Sequence, residues 1–208
     1  MSEQLTNAVA ELKEDEALKL VNELVEKGED ANSIFDAARK GMETVGQRFA
    51  AGEYFLPELI YSGEIFKSIS EIIAPLMKSA AGGGQKLGKV IVGTVAGDIH
   101  DIGKDIVVFM LDISGFEVYD LGIDVPVQNF VDKIKETGAS IVALSGFLTL
   151  AFDSMKETVE AIDAAGLRDK VKIMIGGGQI DEEIRKYTKA DAYGRDAMTA
   201  VEIAKGWV

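Results

Sequence analysis

The feature that most constrains the fold is an alternation, in the second half of the chain, between short β-branched runs and segments of helical length. The runs are continuously apolar, as in Val90–Val95, which favours parallel strands buried on both faces. This order predicts βαβ units in a doubly wound α/β domain. Five strands are expected, the last of them weaker: Lys89–Val95, Glu117–Leu121, Ser140–Leu144, Val171–Ile175 and Ala190–Tyr193.

The part of the chain before these strands follows a helical period instead. Apolar side chains recur on one face from Leu18 to Val25, and again from Ile34 to Phe49, as in a helical bundle. Ser79–Gln85 is a run of small and flexible residues that ends this period. We therefore predict a helical domain at 1–80, a linker at 81–88 and a Rossmann-like domain at 89–208.

Composition excludes several classes of function. The chain has 208 residues, and its 22 Lys and Arg against 35 Asp and Glu give a net charge of −13, which disfavours nucleic acids and anionic membranes as partners. It has no cysteine, so disulfides and thiolate metal sites are excluded. No leader or membrane-spanning run is apparent. A soluble cytoplasmic protein is the expectation.

A polar loop follows the first predicted strand, at Gly97–Gly103, and contains the only histidine of the chain, His100. In doubly wound folds, ligands bind beyond the carboxyl ends of the strands. A neutral imidazole can bind a metal through one nitrogen while a carboxylate accepts the proton of the other, and Asp98 is placed for this role. The alternative is a helix-capping loop in which Asp98 or Asp101 caps and His100 is incidental.

Two further strand ends carry small or polar residues. Ser145, Phe147 and Thr149 follow the third strand, and Gly176–Gly178 follows the fourth. Missing side chains would let a ligand lie against the backbone. Each segment alone is also explained by ordinary turn chemistry.

Together these segments resemble the cobalamin-binding domains of methionine synthase and of the corrinoid proteins of methanol, methylamine and methoxyl-compound methyl transfer. The family fingerprint is DxHxxG-x41-SxL-x26–28-GG, with both intervals approximate. Here the first interval is 104–144, between Gly103 and Ser145, and the second is 148–175, between Phe147 and Gly176. Both intervals match the fingerprint in length.

The resemblance extends to the helical half of the chain. Its Phe55-Leu-Pro-Glu58 segment is similar to the cap module that precedes the cobalamin domain in this family. The resemblance therefore implies a helical-bundle cap followed by a flavodoxin-like doubly wound five-stranded parallel sheet.

The resemblance also assigns residues. It implies that His100 is the lower axial ligand of cobalt in cobalamin or a related corrinoid, with Asp98 as its hydrogen-bond partner. Phe49, Leu56 and Leu59 match cap positions over the upper face of the corrin, although each could equally be bundle core. The remaining expected cofactor contacts surround the His100 loop and the slot for the nucleotide tail, namely Gly97, Asp101, Ile102, Gly103, Ser145, Phe147, Thr149, Gly176, Gly177, Gly178, Tyr193, Gly194 and Asp196.

The chain departs from the family pattern at two positions. Phe147 replaces the usual leucine and is expected to narrow or reshape the slot. In the methionine synthase branch a serine six positions after the SxL serine extends the proton relay, whereas Ala151 stands here. The resemblance therefore does not extend the relay beyond Asp98.

The function that the resemblance implies is that of a corrinoid carrier, a methyl-carrying subunit rather than a complete enzyme. Its partners would be a substrate-specific methyltransferase, an acceptor methyltransferase using tetrahydrofolate or a thiol, and a reductive activator. The alternative is a cobalamin-dependent sensor without its own DNA-binding domain. A flavodoxin-like FMN module or a receiver domain fits less well, because the first would need a phosphate-binding loop and the second an aspartate where Ser145 stands.

Overall fold

A computed structural model describes residues 2–79, 86–178 and 180–208. The chain divides into two compact units, Met1–Gln85 and Lys86–Val208, called here the helical unit and the sheet unit. Residues 81–85 of the predicted linker lie outside the described residues. The predicted domain boundaries therefore stay a prediction.

Four helices form the described part of the helical unit: α1 Ser2–Ala10, α2 Glu14–Glu26, α3 Ala31–Ala50 and α4 Leu56–Ser79. Many of the apolar residues that repeat with the helical period are fully buried, among them Val21, Ile34, Met42 and Ile69. Asp30 caps α3 by accepting a hydrogen bond from the Ser33 amide, 3.1 Å away. Among the described residues no helix is both long and apolar enough to cross a lipid bilayer.

The sheet unit alternates strands and helices along the whole of its length. A short 3₁₀ helix at Arg168–Lys170 precedes the fourth strand. The strands and α-helices are, in chain order, β1 Lys89–Thr94, α5 Ile102–Ile113, β2 Glu117–Asp120, α6 Val127–Thr137, β3 Ile141–Ser145, α7 Ala151–Ala164, β4 Lys172–Gly176, α8 Glu182–Thr188, β5 Ala192–Gly194 and α9 Ala197–Lys205.

The five strands form one parallel sheet in the order β2-β1-β3-β4-β5. This is the flavodoxin-like order, and the predicted fold class is confirmed. Each predicted strand differs from the observed one by only one or two residues at its ends. The topological switch point lies between β1 and β3, where α/β folds of this type bind ligands.

Side chains alternate across the sheet and bury both of its faces. Ile91, Val142 and Ile173 belong to one apolar cluster, which α6 and α7 complete with Phe130 and Met155. The intervening strand residues point to the opposite face because successive side chains of a strand alternate. There α5 and α9 pack against each other and against the strands. Two covered faces explain why the strand sequences are apolar throughout.

Candidate functional site

His100 lies in the loop between β1 and α5, at the carboxyl edge of the sheet beside the switch point. Its side chain is half exposed, so packing alone does not hold it. The loop reaches this position through Gly97, whose φ of +82° is readily adopted only by glycine. Thr94, fully buried at the end of β1, donates its hydroxyl proton to the carbonyl oxygen of His100 at 2.9 Å.

Asp98 is fully buried and its carboxylate accepts four hydrogen bonds. Oδ1 lies 2.7 Å from Nδ1 of His100 and 3.0 Å from the His100 amide nitrogen. Oδ2 accepts from the amides of Phe147, at 2.6 Å, and Leu148, at 2.9 Å, in the loop after β3. One carboxylate therefore connects the His100 loop to the neighbouring loop across the switch point.

These hydrogen bonds determine the charge state of Asp98. Burial by itself would raise the pKa of the carboxyl group, but the bonds from the amides of Leu148, His100 and Phe147 and from the His100 ring outweigh it. The net result is a pKa well below the ordinary value for aspartate. Asp98 is thus an anion at neutral pH, and charge-assisted bonds of this kind are the stronger ones.

The anion in turn selects the tautomer of His100. An ionised carboxylate can only accept, so Nδ1 carries the hydrogen that it donates to Asp98. Nε2 is then the nitrogen with a free lone pair, which is the form of imidazole that binds metals. Among the described residues no group of three acidic or histidine side chains could hold an ion.

Phe147 packs against His100, and the glycine loop after β4 contacts Phe147 in turn. The Phe147 ring lies 4.6 Å from the imidazole, centroid to centroid, with the planes 31° apart. A Cβ on Gly178 would lie 2.7 Å from Phe147 Cδ2, and one on Gly177 only 1.9 Å from the Gly146 carbonyl oxygen. The loops after β3 and β4 are therefore in direct contact, and only glycine permits it.

The other residues expected to line the nucleotide-tail slot lie at or after the ends of β3, β4 and β5. Ser145 ends β3 between Thr94 of β1 and Gly176 of β4. Gly176 pairs with Gly194, which neighbours the half-buried Tyr193 on β5. Asp196 caps α9 by accepting from the Thr199 amide at 2.7 Å. Thr149 is exposed in the turn before α7.

The three expected cap residues lie in the helical unit with different exposure. Leu59 is buried in the core of that unit, whereas Phe49 and Leu56 are half buried. On the same segment Phe55 and Ile60 are the exposed apolar side chains. Within the helical unit itself, Phe55 is thus more available for contact than Leu59.

The alternative prediction, in which Asp98 or Asp101 only caps α5, is wrong. Asp101 precedes α5 and makes no side-chain capping bond, and the Asp98 oxygens bind the His100 and β3-loop groups instead.

Backbone amides occupy the place of the relay serine that this sequence lacks. Where such a serine would stand, Ala151 is buried, and backbone amides hold the outer oxygen of Asp98.

Sequence patterns missed two parts of this edge. One is Asp124, in the loop between β2 and α6, whose Oδ1 accepts from the Gly97 amide at 2.8 Å. The signal that could have found it is its position after a strand adjacent to β1. The other is a set of exposed apolar side chains around the expected contacts Ile102 and Phe147, namely Ile99, Ile123, Leu148 and Leu150 in the loops after β1, β2 and β3.

These apolar side chains form an uncommon surface. Ile102 is 65% exposed and Leu150 75% exposed, although large aliphatic groups are usually buried in a monomer. Exposed apolar groups around a polar centre are typical of a binding surface. The site combines an imidazole with a free Nε2, exposed apolar loop residues, and glycines that have no side chain to obstruct a ligand. This combination fits a planar, largely apolar macrocycle with a metal at its centre.

Known protein families and individual proteins match this chain over most of its length. A family model described as a B12 binding domain matches residues 88–202, and a second model of that description matches residues 1–74. Trimethylamine corrinoid protein 2 of Methanosarcina mazei is 38% identical over 200 residues, covering 96% of this chain and 92% of its own length. The dimethylamine corrinoid protein of Methanosarcina barkeri is 37% identical over 203 residues, with coverage of 98% and 95%.

Solved structures are similar as well. A cobalamin-binding protein from Desulfitobacterium hafniense DCB-2 has a TM-score of 0.84 and 40% identity, covering 100% of this chain and 98% of that one. A chain of the methanol:cobalamin methyltransferase complex MtaBC from Methanosarcina barkeri has a TM-score of 0.83 and 25% identity. That match covers 98% of this chain and 78% of the other.

Proposed function

Because this chain belongs to the family of B12-binding corrinoid proteins, we propose that it carries a methyl group on the cobalt of a cobalamin or related corrinoid. It would receive the group from a substrate-specific methyltransferase and deliver it to an acceptor methyltransferase that uses tetrahydrofolate or a thiol. The relatives named for trimethylamine and dimethylamine, and the similarity to a chain of a methyltransferase complex, support partners of this class. A reductive activator would restore oxidised cofactor.

The observation that carries the proposal is the contact between buried Asp98 and half-exposed His100. The hydrogen bond at Nδ1 leaves Nε2 available as the axial ligand, in place of the cofactor's own lower base. The displaced nucleotide tail would enter a slot between the sheet and the helices, lined by Ser145, Phe147, Thr149 and Gly176–Gly178. The loops after β3 and β4, which carry most of these residues, touch one another in the structure.

Each residue has a defined task in this scheme. A bound corrinoid supplies a cobalt that accepts and releases a methyl group. His100 would hold the cobalt through the lone pair of Nε2, and it would have to bind and release the metal as the cofactor changes its oxidation state. Asp98 keeps its charge and raises the donor strength of the imidazole through Nδ1–H.

The exposed apolar residues at the same edge would contact the macrocycle and exclude water from the lower side of the metal. Ile99 and Ile102 flank His100 in its own loop, and Leu148 follows Phe147 in the next. Burial of such side chains is worth about 25 cal/mol for each Å² removed from water. We expect these contacts to provide much of the affinity, with His100 providing the orientation.

The single histidine of the chain makes a direct test possible. Protein labelled with ¹⁵N only in histidine carries the label in the side chain of one residue, His100. If Nε2 binds cobalt, the electron paramagnetic resonance lines of the Co(II) form change from the triplets given by ¹⁴N to doublets. Triplets that persist in the labelled protein would mean that another nitrogen is the ligand, and the proposed role of His100 would then be wrong.

The His100→Ala variant tests the same point by a second route. Because the side chain is half exposed, its removal should change the free energy of unfolding by less than about 1 kcal/mol. The nitrogen coupling on cobalt should be lost, together with methyl transfer to either partner. Full methyl transfer by this variant would contradict the carrier mechanism.

A further inference from the structure

Asp124, in the neighbouring β2–α6 loop, forms two hydrogen bonds with the His100 loop. Its Oδ1 accepts from the Gly97 amide at 2.8 Å, and its own amide donates to the carbonyl oxygen of Asp98 at 3.0 Å. Two successive residues of the loop are therefore attached to one residue of the neighbouring β2–α6 loop. Asp98, the second of them, is the residue that binds the imidazole.

The β2–α6 loop is itself firmly attached to β1, so it can act as a support. The Thr94 amide donates to the Gly122 carbonyl oxygen at 2.9 Å, and the Val125 amide donates to the Thr94 carbonyl oxygen at 3.0 Å. These bonds lie on either side of Asp124 in the sequence. They extend the ladder of β1 and β2 beyond the end of the regular sheet.

Asp124 also has an uncommon backbone conformation. Its φ is +48°, a left-handed value that side chains other than glycine, asparagine and aspartate rarely adopt. Outliers of this kind persist where the surroundings determine them, and they concentrate at functional sites. At Asp124 the conformation directs both its carboxylate and its amide to the same loop.

The orientation of the imidazole depends on this attachment because, among the described residues, the ring itself makes one hydrogen bond, to Asp98. His100 is half exposed, and its Nδ1 lies 2.7 Å from Asp98 Oδ1. The other oxygen of Asp98 is tied to the β3 loop. A displacement of residues 97–98 would therefore force the carboxylate to give up contacts on one side or the other.

We propose that Asp124 is a positioning residue for His100, holding Gly97 and Asp98 so that the imidazole keeps its hydrogen on Nδ1 and its lone pair on Nε2. The consequence for cobalt rests on the proposed function, whereas the effect on the imidazole concerns the cofactor-free protein. A residue that merely stabilised the loop would change the free energy of unfolding and leave the tautomer of His100 unchanged.

The test uses full-length, cofactor-free protein labelled with ¹⁵N in its single histidine. Nitrogen chemical shifts at alkaline pH give the ratio of the Nδ1–H to the Nε2–H tautomer. Asp124→Gly keeps the left-handed backbone accessible and removes the carboxylate. We expect it to lower that ratio about threefold or more, since a charge-assisted hydrogen bond corresponds to about tenfold when fully lost.

Two further variants complete the series. Asp124→Asn tolerates the same backbone and retains an acceptor oxygen without the charge, so its ratio should lie between those of wild type and Asp124→Gly. Lys189→Gly is the matched control, because Lys189 is also left-handed, with φ of +61°, and lies after α8, in a different loop. It should leave the tautomer ratio unchanged.

The outcomes separate this proposal from the proposed function. An unchanged tautomer ratio in both Asp124 variants overturns the positioning role, even if they unfold more easily. Loading wild type and variants with cobalamin and recording the Co(II) spectrum supplies the second measurement. If wild type shows no coupling to histidine nitrogen, the ligand role of His100 fails while the tautomer result for Asp124 still stands.

Discussion

At the scale of single residues, Asp98 has the most demanding environment in the described site. A carboxylate without solvent contact is costly unless its charge is matched by donors. Here two donors come from its own loop and two from the loop after β3. All of its contacts favour the ionised form, which explains the lowered pKa and makes Asp98 an anion next to the imidazole.

Replacement of Asp98 by asparagine should therefore put a hydrogen-bond donor, the NH₂ group, where one of the two acceptor oxygens now lies. The NH₂ group of the new side chain must face either the amides of Phe147 and Leu148 or the donors of His100. If the asparagine oxygen turns to the β3 loop, the NH₂ group donates to His100 Nδ1 and moves the imidazole hydrogen to Nε2. That tautomer cannot bind cobalt.

We expect Asp98→Asn to lower the free energy of unfolding by about 1.5–3 kcal/mol and to weaken the histidine-ligated Co(II) signal at least tenfold. Chemical denaturation of the cofactor-free protein and electron paramagnetic resonance of the loaded protein measure the two effects. Asp30→Asn is the control, because Asp30 caps α3 in the helical unit and asparagine caps helices nearly as well as aspartate. Equal signals from wild type and Asp98→Asn would show that the Nδ1 contact does not control ligation.

At the scale of elements, two glycines near the strand ends differ in whether the fold requires them. Gly177 has φ of +129°, and a Cβ there would lie 1.9 Å from the Gly146 carbonyl oxygen. Gly103 is the second residue of α5 and is not left-handed, and a Cβ there would meet no protein atom within 4 Å. The fold requires the first glycine, but nothing within the sheet unit requires the second.

Gly177→Ala should destabilise the cofactor-free protein by about 2 kcal/mol or more, because two loops must separate and a left-handed backbone must carry a side chain. Thermal or chemical unfolding measures this. A change below about 0.5 kcal/mol, the size expected of an unconstrained surface substitution, would mean that the loops after β3 and β4 are not packed together in solution.

Gly103→Ala should behave in the opposite way. Unfolding of the cofactor-free protein should stay equal or become harder by up to about 1 kcal/mol, since alanine is the better helix former. If the corrinoid lies against this helix start, cobalamin affinity should fall about tenfold or more, as measured by absorbance titration. Unchanged affinity would place the cofactor elsewhere on the edge.

At the scale of the whole molecule, the two units have separate cores. The sheet unit contains His100, Asp98 and every residue assigned to the tail slot, whereas Phe49, Leu56 and Leu59 belong to the helical unit. A β-sheet covered by helices on both faces is a complete layered domain. The sheet unit at Lys86–Val208 is also of ordinary domain size.

A fragment comprising residues 86–208 should therefore fold alone, with a single cooperative transition of about 5 kcal/mol or more. It should bind cobalamin and show the same coupling to histidine nitrogen as the full chain. Circular dichroism during denaturation and the Co(II) spectrum provide the measurements. A fragment that lacks a cooperative transition would show that the helical unit is needed for folding and would refute the predicted domain boundary.

The sequence by itself determined the layered fold and the place of His100. Continuous β-branched runs separated by helical lengths leave few arrangements other than a parallel sheet with covered faces. Such a sheet brings the loops after its strands to one edge. The pairing of Asp98 with His100 was also predictable, because their close spacing in one loop allows a local contact.

Only the tertiary structure decided how that pair is held. The outer oxygen of Asp98 is bound by the amides of Phe147 and Leu148, which are distant in the sequence, and every residue except proline has such an amide, so no sequence pattern marks these two. The position of Asp124 after a strand next to β1 marks its edge of the sheet, but the sequence does not show that its carboxylate and its amide bind residues 97 and 98. Hydrogen bonds of the backbone depend on which loops meet, and the folding of the whole sheet determines that.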